Sequence, residues 1–150
     1  MTLDERLATL QMVPEFRQLA GPECTALASA MREEIYEKGE VVCVEGEVAD
    51  RVFILHSGEL SVTQAGREGV VQQLSRGALL GEVAFFDGSL RTATVTPTTP
   101  STILSLEFER FRKFLLAHPD SALIIAARIV HMLRHAETAL VELQRAQRIG

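Results

Sequence analysis

The sequence predicts an α+β fold: a β sandwich or barrel held between N-terminal helices and one long C-terminal helix. Three observations lead there. From about residue 33, short β-prone runs (Ile35, Val41-Val42-Cys43-Val44, Val52-Phe53-Ile54-Leu55, Leu60 with Val62, Val70-Val71 and Leu74) alternate with glycines at 39, 46, 58, 66, 69 and 77. Many short strands with regular turn signals are the mark of a sandwich or barrel. Before residue 33 and after residue 107 the apolar residues recur at helical spacing instead.

Taken in order, Leu3, Leu7 and Leu10 form the first helical stripe. Pro14 breaks it and opens a short helix through Phe16 and Leu19, because proline is tolerated only in a first turn. Gly21-Pro22 punctuates again, and Cys24, Leu27, Ala28 and Met31 make the next stripe. In the β region, Gly39, Gly46 and Gly58 are expected to take positive φ at corners, and Gly66 to Gly69 to form a hairpin tip. Thr96 to Thr102 reads as a turn into a last strand, Ile103 to Leu106. Phe108, Phe111, Phe114 and Leu115 share one face of a helix over 107–117. The final helix is expected from about Asp120 to Ala146, roughly 40 Å long at 1.5 Å per residue. Ile125, Ile129, Met132, Ala136, Ala139 and Leu143 repeat along it at alternating steps of four and three, a heptad-type seam. Val130, Leu133 and Leu140 widen that face, so a homodimer through this helix is expected.

Composition bounds the function. The 150 residues make a single domain, 1–150, with helices over 1–32, the β region over 33–106 and helices over 107–150. A hydrophobic fraction of 47%, a charged fraction of 23% and a net charge of −5 are ordinary for a soluble protein. With no basic stripe, nucleic acid is not an expected partner. With no apolar run near 20 residues and no signal peptide, neither is a membrane, and a cytoplasmic location is expected. Cys24 and Cys43 are expected as free thiols. His131 and His135 stand four apart on the last helix, a spacing that can hold a metal, but no third ligand lies nearby and solvent-facing histidines are expected.

The chemistry concentrates between residues 79 and 95. Leu79-Leu80-Gly81 leads into a short helical turn with Glu82 at its front, Asp87-Gly88-Ser89 reads as a tight turn, and Arg91-Thr92-Ala93-Thr94-Val95 runs out as a strand. A helical turn after Gly81 presents free N–H groups around Glu82, Val83 and Ala84, a setting suited to an anion. Arg91 adds a planar fork of donors that fits a phosphate bidentately. Glu82 can accept hydrogen bonds from sugar hydroxyls.

This run resembles the phosphate-binding cassette of the cyclic-nucleotide-binding domain family, which includes the catabolite activator protein and the regulatory subunits of cyclic-AMP-dependent kinase. The resemblance rests on Gly81-Glu82-Val83-Ala84 and Arg91-Thr92-Ala93-Thr94-Val95 at the family's Glu-to-Arg spacing. It extends to Tyr36-Glu37-Lys38-Gly39-Glu40, Glu45-Gly46-Glu47, Phe53-Ile54-Leu55 and Ser57-Gly58-Glu59-Leu60. Leu90 departs from it, since a proline often precedes the arginine. The resemblance implies a β-jelly-roll (double-stranded β-helix) barrel with the cassette at 81–95. The ligand would be cAMP or cGMP, with no other cofactor. Arg91 and the N–H groups near Ala84, Thr92 and Ala93 would hold the cyclic phosphate, Glu82 the ribose 2′-OH, and Gly81 a close backbone approach. Val62 and Val71 align with the apolar lining of the ribose and base pocket, and residues near Met132, Leu133 and Ala136 with a base-covering helix. Thr92 bears on the choice of nucleotide.

The function implied is a sensor rather than an enzyme, signalling by movement of its C-terminal helices to an effector protein. The family's transcription factors carry a helix-turn-helix segment after the long helix; none follows here, so a stand-alone regulatory domain is expected. The alternative is a jelly-roll module without ligand, used for dimerisation or docking; the intact Glu82 and Arg91 count against it. A cupin-type metalloenzyme would need clustered histidines, and the β region holds only His56.

Overall fold

The computed structural model describes residues 1–149, without the side chains of Met132, Arg148 and Ile149. The chain opens with α1 (Leu3–Met12), a 3-10 turn (Pro14–Phe16) and α2 (Gly21–Ala30). Strands β1 (Arg32–Tyr36), β2 (Arg51–Ser57), β3 (Leu60–Thr63), β4 (Gln72–Leu74) and β5 (Leu79–Leu80) follow. Then come α3 (Glu82–Asp87), β6 (Thr94–Pro97), β7 (Ser101–Glu107), α4 (Phe108–Ala117) and α5 (Pro119–Ile149).

Local chemistry sets the helix starts. Thr2 caps α1: its hydroxyl accepts from the Glu5 N–H at 3.2 Å while the Glu5 carboxylate accepts from the Thr2 N–H at 3.4 Å. Pro14 and Pro22 each sit in the first turn of the element they open. The Arg6 guanidinium donates to the carbonyls of Ala28 and Met31, tying α1 to the end of α2. At the other end, Ser121 donates to Glu23 at 2.7 Å and anchors the start of α5 on α2.

The strands form two sheets, ordered β1-β7-β2-β5 and β4-β3-β6, with all recorded pairings antiparallel. The expected barrel is therefore an open jelly-roll sandwich. Its edge strands explain why: β4 has three residues and β5 two, too short a ladder to close one sheet onto the other. The run at 41–44 contributes one isolated bridge, Cys43 to Val95, rather than a strand, and β4 starts after Val71.

β2 shows how the layers are built. Its apolar run Val52-Phe53-Ile54-Leu55 is buried throughout, because both faces of its sheet are covered. Val52 and Ile54, with Leu104 and Leu106 of β7, face a core shared with Leu10, Phe16, Leu27, Phe111 and Ile125 of the helical layer. Phe53 and Leu55 face the other way, into the sandwich with Leu60, Val95 and Ile103. The period of two along one strand thus feeds two cores.

α5 leaves this body part-way along. Ile125 is fully buried and Ile129 packs on the helical core, so the first two seam positions are used within the chain. Beyond them Leu133, Leu140 and Leu143 are exposed; the Met132 side chain lies outside the described residues. Among the described residues no single helix is long and apolar enough to cross a membrane.

Candidate functional site

The stretch from β5 to β6 wraps one end of the sandwich. β5 pairs with β2, Leu80 opposite Phe53, and so fixes where the turn begins. Gly81 then takes φ 87°, and a Cβ there would stand 2.6 Å from Arg91 Nη1 and 3.1 Å from the Arg51 carbonyl oxygen. Only glycine satisfies both the left-handed backbone and that close approach. α3 follows at once, with its first N–H groups lacking helical acceptors. Gly88 takes φ 67° at its end, and the Ser89 N–H donates to Asp87 Oδ1 at 2.8 Å, closing the expected tight turn. The segment is then tied down on both sides: the Arg91 N–H donates to the Glu47 carbonyl at 2.9 Å and the Gly46 N–H to the Arg91 carbonyl at 2.9 Å.

This wrapping encloses a cavity of about 200 Å³. Of the residues singled out in the sequence, Gly81, Glu82, Val83, Ala84, Arg91, Thr92, Ala93 and Val62 line it. Val71 is outside the lining; it is half-buried against the sandwich core, its N–H donating to the Val62 carbonyl at 2.8 Å. Leu133 and Ala136 do not reach the cavity either, and both are exposed on α5. Cys43, Phe53 and Gln72 do line it and were not foreseen. Phe53 carried a signal, being in a strand of the right composition, but which face it takes depends on which sheet covers which side.

Two buried ionisable groups dominate the cavity. Glu82 is 9% exposed, and its Oε2 has no hydrogen-bond partner among the described residues. Burial pushes its carboxyl up to about 7; its own backbone N–H works against that rise, and the nearby charge of Glu15 adds to it. Arg91 is 7% exposed, and burial lowers its guanidinium pKa. Its Nη2 donates to the Arg51 carbonyl at 2.8 Å and lies 3.5 Å from Asp50 Oδ1. Its guanidinium also sits 5.0 Å from the centre of the Phe53 ring, a cation–π distance. The site therefore offers one buried cation with donors to spare, one buried acceptor with nothing to accept, and an apolar wall between them. That combination suits a small ligand carrying an anion, a hydroxyl and a flat or apolar portion.

A larger, more open concavity of about 750 Å³ lies between β1, the start of β2 and the start of α4. It takes in none of the 81–95 segment. Among its arginines, Arg51 pairs with Glu34 and Asp50 and Arg32 with Glu107.

A family model described as "Cyclic nucleotide-binding domain" matches residues 33–118. The cAMP-dependent protein kinase regulatory subunit of Yarrowia lipolytica is 37% identical over 106 residues, covering 71% of this chain and 28% of that protein. Among solved structures, the Thermus thermophilus catabolite activator protein superposes with a TM-score of 0.80 at 25% identity, covering 87% of this chain and 63% of that one. The regulatory domain of Toxoplasma gondii PKA, crystallised with cAMP, gives a TM-score of 0.70 at 25% identity, covering 75% of this chain and 44% of that one. The chain spans about a quarter of the length of the curated relatives it matches.

Proposed function

We propose a function from one premise: this chain belongs to the cyclic nucleotide-binding domain family. Residues 1–150 act as one sensor domain for a cyclic nucleotide, and the ligand is cAMP in preference to cGMP. The relatives described above support the preference: one is a regulatory subunit of a cAMP-dependent protein kinase and another was crystallised with cAMP. The observation that carries the reading is the unpartnered, buried Glu82 Oε2 in the same small cavity as the buried Arg91. A buried acceptor without a donor costs about 1–3 kcal/mol or more, a cost that a ligand hydroxyl removes.

In this reading Arg91 holds the exocyclic oxygens of the cyclic phosphate, joined by N–H groups of the 82–84 turn and of Thr92 and Ala93. Glu82 accepts the ribose 2′-OH. Val62 and Phe53 form the apolar wall, and Thr92 offers its hydroxyl to phosphate or base. The residues do no covalent chemistry; the role is regulatory. Binding tightens the 81–95 segment and shifts the C-terminal helices, which act on a partner protein or on a second copy through the exposed part of α5. Such a shift requires that the ligand favour one helix position over another. A cytoplasmic setting belongs to the same proposal.

The test is calorimetric titration with cAMP and with cGMP, on preparations shown to carry no retained nucleotide, with Arg91→Ala in parallel. One site per chain is expected, with micromolar or tighter affinity for cAMP, weaker binding of cGMP and loss of both in the variant. No heat and no thermal stabilisation with either nucleotide would overturn the sensor reading in favour of a ligand-free dimerisation or docking module.

A further inference from the structure

Behind Arg91 lies a charged cluster that the cavity does not include. Arg51 Nε donates to Glu34 Oε2 at 3.0 Å and its Nη2 to Glu34 Oε1 at 3.1 Å, a two-pronged pair. Its remaining nitrogen, Nη1, donates to Asp50 Oδ1 at 3.0 Å, the same oxygen that lies 3.5 Å from Arg91 Nη2. Tyr36 adds its hydroxyl, donating to Glu34 Oε1 at 2.7 Å. Both guanidiniums sit over Phe53, Arg51 at 4.8 Å and Arg91 at 5.0 Å from the ring centre.

The arrangement poses an electrostatic problem and answers it. Two like charges share one aromatic ring, and the Arg51 charge works against that of Arg91. Asp50 is the carboxylate nearest both, yet its side chain is 67% exposed, so nothing about its burial fixes it. The Glu34 side chain, 18% exposed, supplies the second negative charge and the rigid anchor. Burial works against ionised Glu34, but hydrogen bonds from Arg51, Ser105 and Tyr36 outweigh it, so the carboxyl is held below its ordinary range. Glu34 itself is placed by β1, whose register puts it opposite Ile103 of β7.

We propose that Glu34 is a positioning residue for the phosphate-binding Arg91: by gripping Arg51 from β1 it fixes Asp50 and the Arg51 carbonyl, the two groups that aim the Arg91 fork into the cavity. This rests on the cyclic-nucleotide reading of the site. With Glu34 neutral, Arg51 is released from its anchor, competes for Asp50 and leaves Arg91 less well ordered and less well neutralised. Glu34 does not touch the ligand, so its effect passes entirely through Arg51 and Asp50.

The test is a double-mutant cycle read by calorimetry with cAMP, using the full chain, Glu34→Gln, Asp50→Asn and both together. Glu34→Gln is isosteric, and a melt of each ligand-free variant reports folding separately. Glu34→Gln is expected to weaken cAMP binding roughly fivefold, and to have almost no further effect once Asp50 is Asn, because coupled residues are not additive. Tyr36→Phe, which removes only the hydroxyl donated to Glu34, is expected to weaken binding less and in the same direction. Additive losses in the cycle, or unchanged affinity in Glu34→Gln, would overturn the inference and leave the sensor reading standing. A wild-type chain that binds neither nucleotide would overturn both.

Discussion

Glu82 is the residue on which the chemistry of the site turns. Left alone in its cavity it titrates near neutrality, and a hydroxyl donated by a ligand favours its ionised form. Binding of cAMP is therefore expected to release a proton, and affinity to be full above about pH 7 and to fall below it, by at most about tenfold per pH unit. Titrations in buffers of different ionisation heat measure that proton directly; a pH-independent affinity between about pH 6 and pH 8 would count against a Glu82–hydroxyl contact. The sign for the ligand-free fold is the opposite. A carboxyl raised from 4.5 to about 7 on folding stabilises the fold in acid, and the contribution is lost as pH rises through about 7. Glu15 is the second buried carboxylate, with its own unpartnered Oε2, and its charge helps raise Glu82. Glu15→Gln is expected to move the midpoint of the binding profile to lower pH.

Among the elements, α3 is the link between cavity and helices. Its front residues line the cavity, while Phe85 on its far side packs on the helical core. The Phe85 ring centre lies 4.8 Å from that of Phe111 and 5.2 Å from that of Phe108, both on α4. In the proposed sensor, these three aromatic rings are the contact through which tightening of the 81–95 segment would reach α4. Phe85→Ala is expected to cost about 2 kcal/mol in a urea melt, below the range for a fully buried phenylalanine because Phe85 is only half-buried. Nucleotide affinity should change little, since Phe85 does not line the cavity. cAMP is expected to change the protease sensitivity of α5 in the wild-type chain and not in Phe85→Ala; the same change in the variant would show that the rings do not carry the signal.

On the scale of the whole molecule, the question is what covers the outer part of α5. Leu133, Leu140 and Leu143 are 55%, 56% and 62% exposed on a helix otherwise anchored at its start by Ser121 and Ile125. In the proposed dimer, a second copy packed along this helix would bury them, with Ala136 and Ala139 allowing close approach. Sedimentation at micromolar concentration is expected to give a dimer. Leu133→Glu with Leu140→Glu is expected to give a monomer of nearly unchanged ligand-free melting temperature, because neither side chain packs within the chain. A wild-type chain that stays monomeric over the whole concentration range would remove the dimer from the account.

The sequence by itself determined the helical segments on either side of a β region and the glycines at 39, 46 and 58 that turn with positive φ, and it singled out the 81–95 segment as the candidate site. These features are local: helical spacing, proline in first turns, glycine at left-handed positions and a motif read within 15 consecutive residues. The tertiary structure decided everything that depends on which faces meet. It opened the expected barrel into two sheets, turned Phe53 into the cavity, left Val71 outside it, and used Ile125 and Ile129 within the chain rather than in a seam. It also brought Glu34, Asp50 and Arg51 behind Arg91, across as many as 57 positions of chain. A strand's two faces look alike in a sequence that is apolar on both, and a salt-bridge network between strands has no period to read.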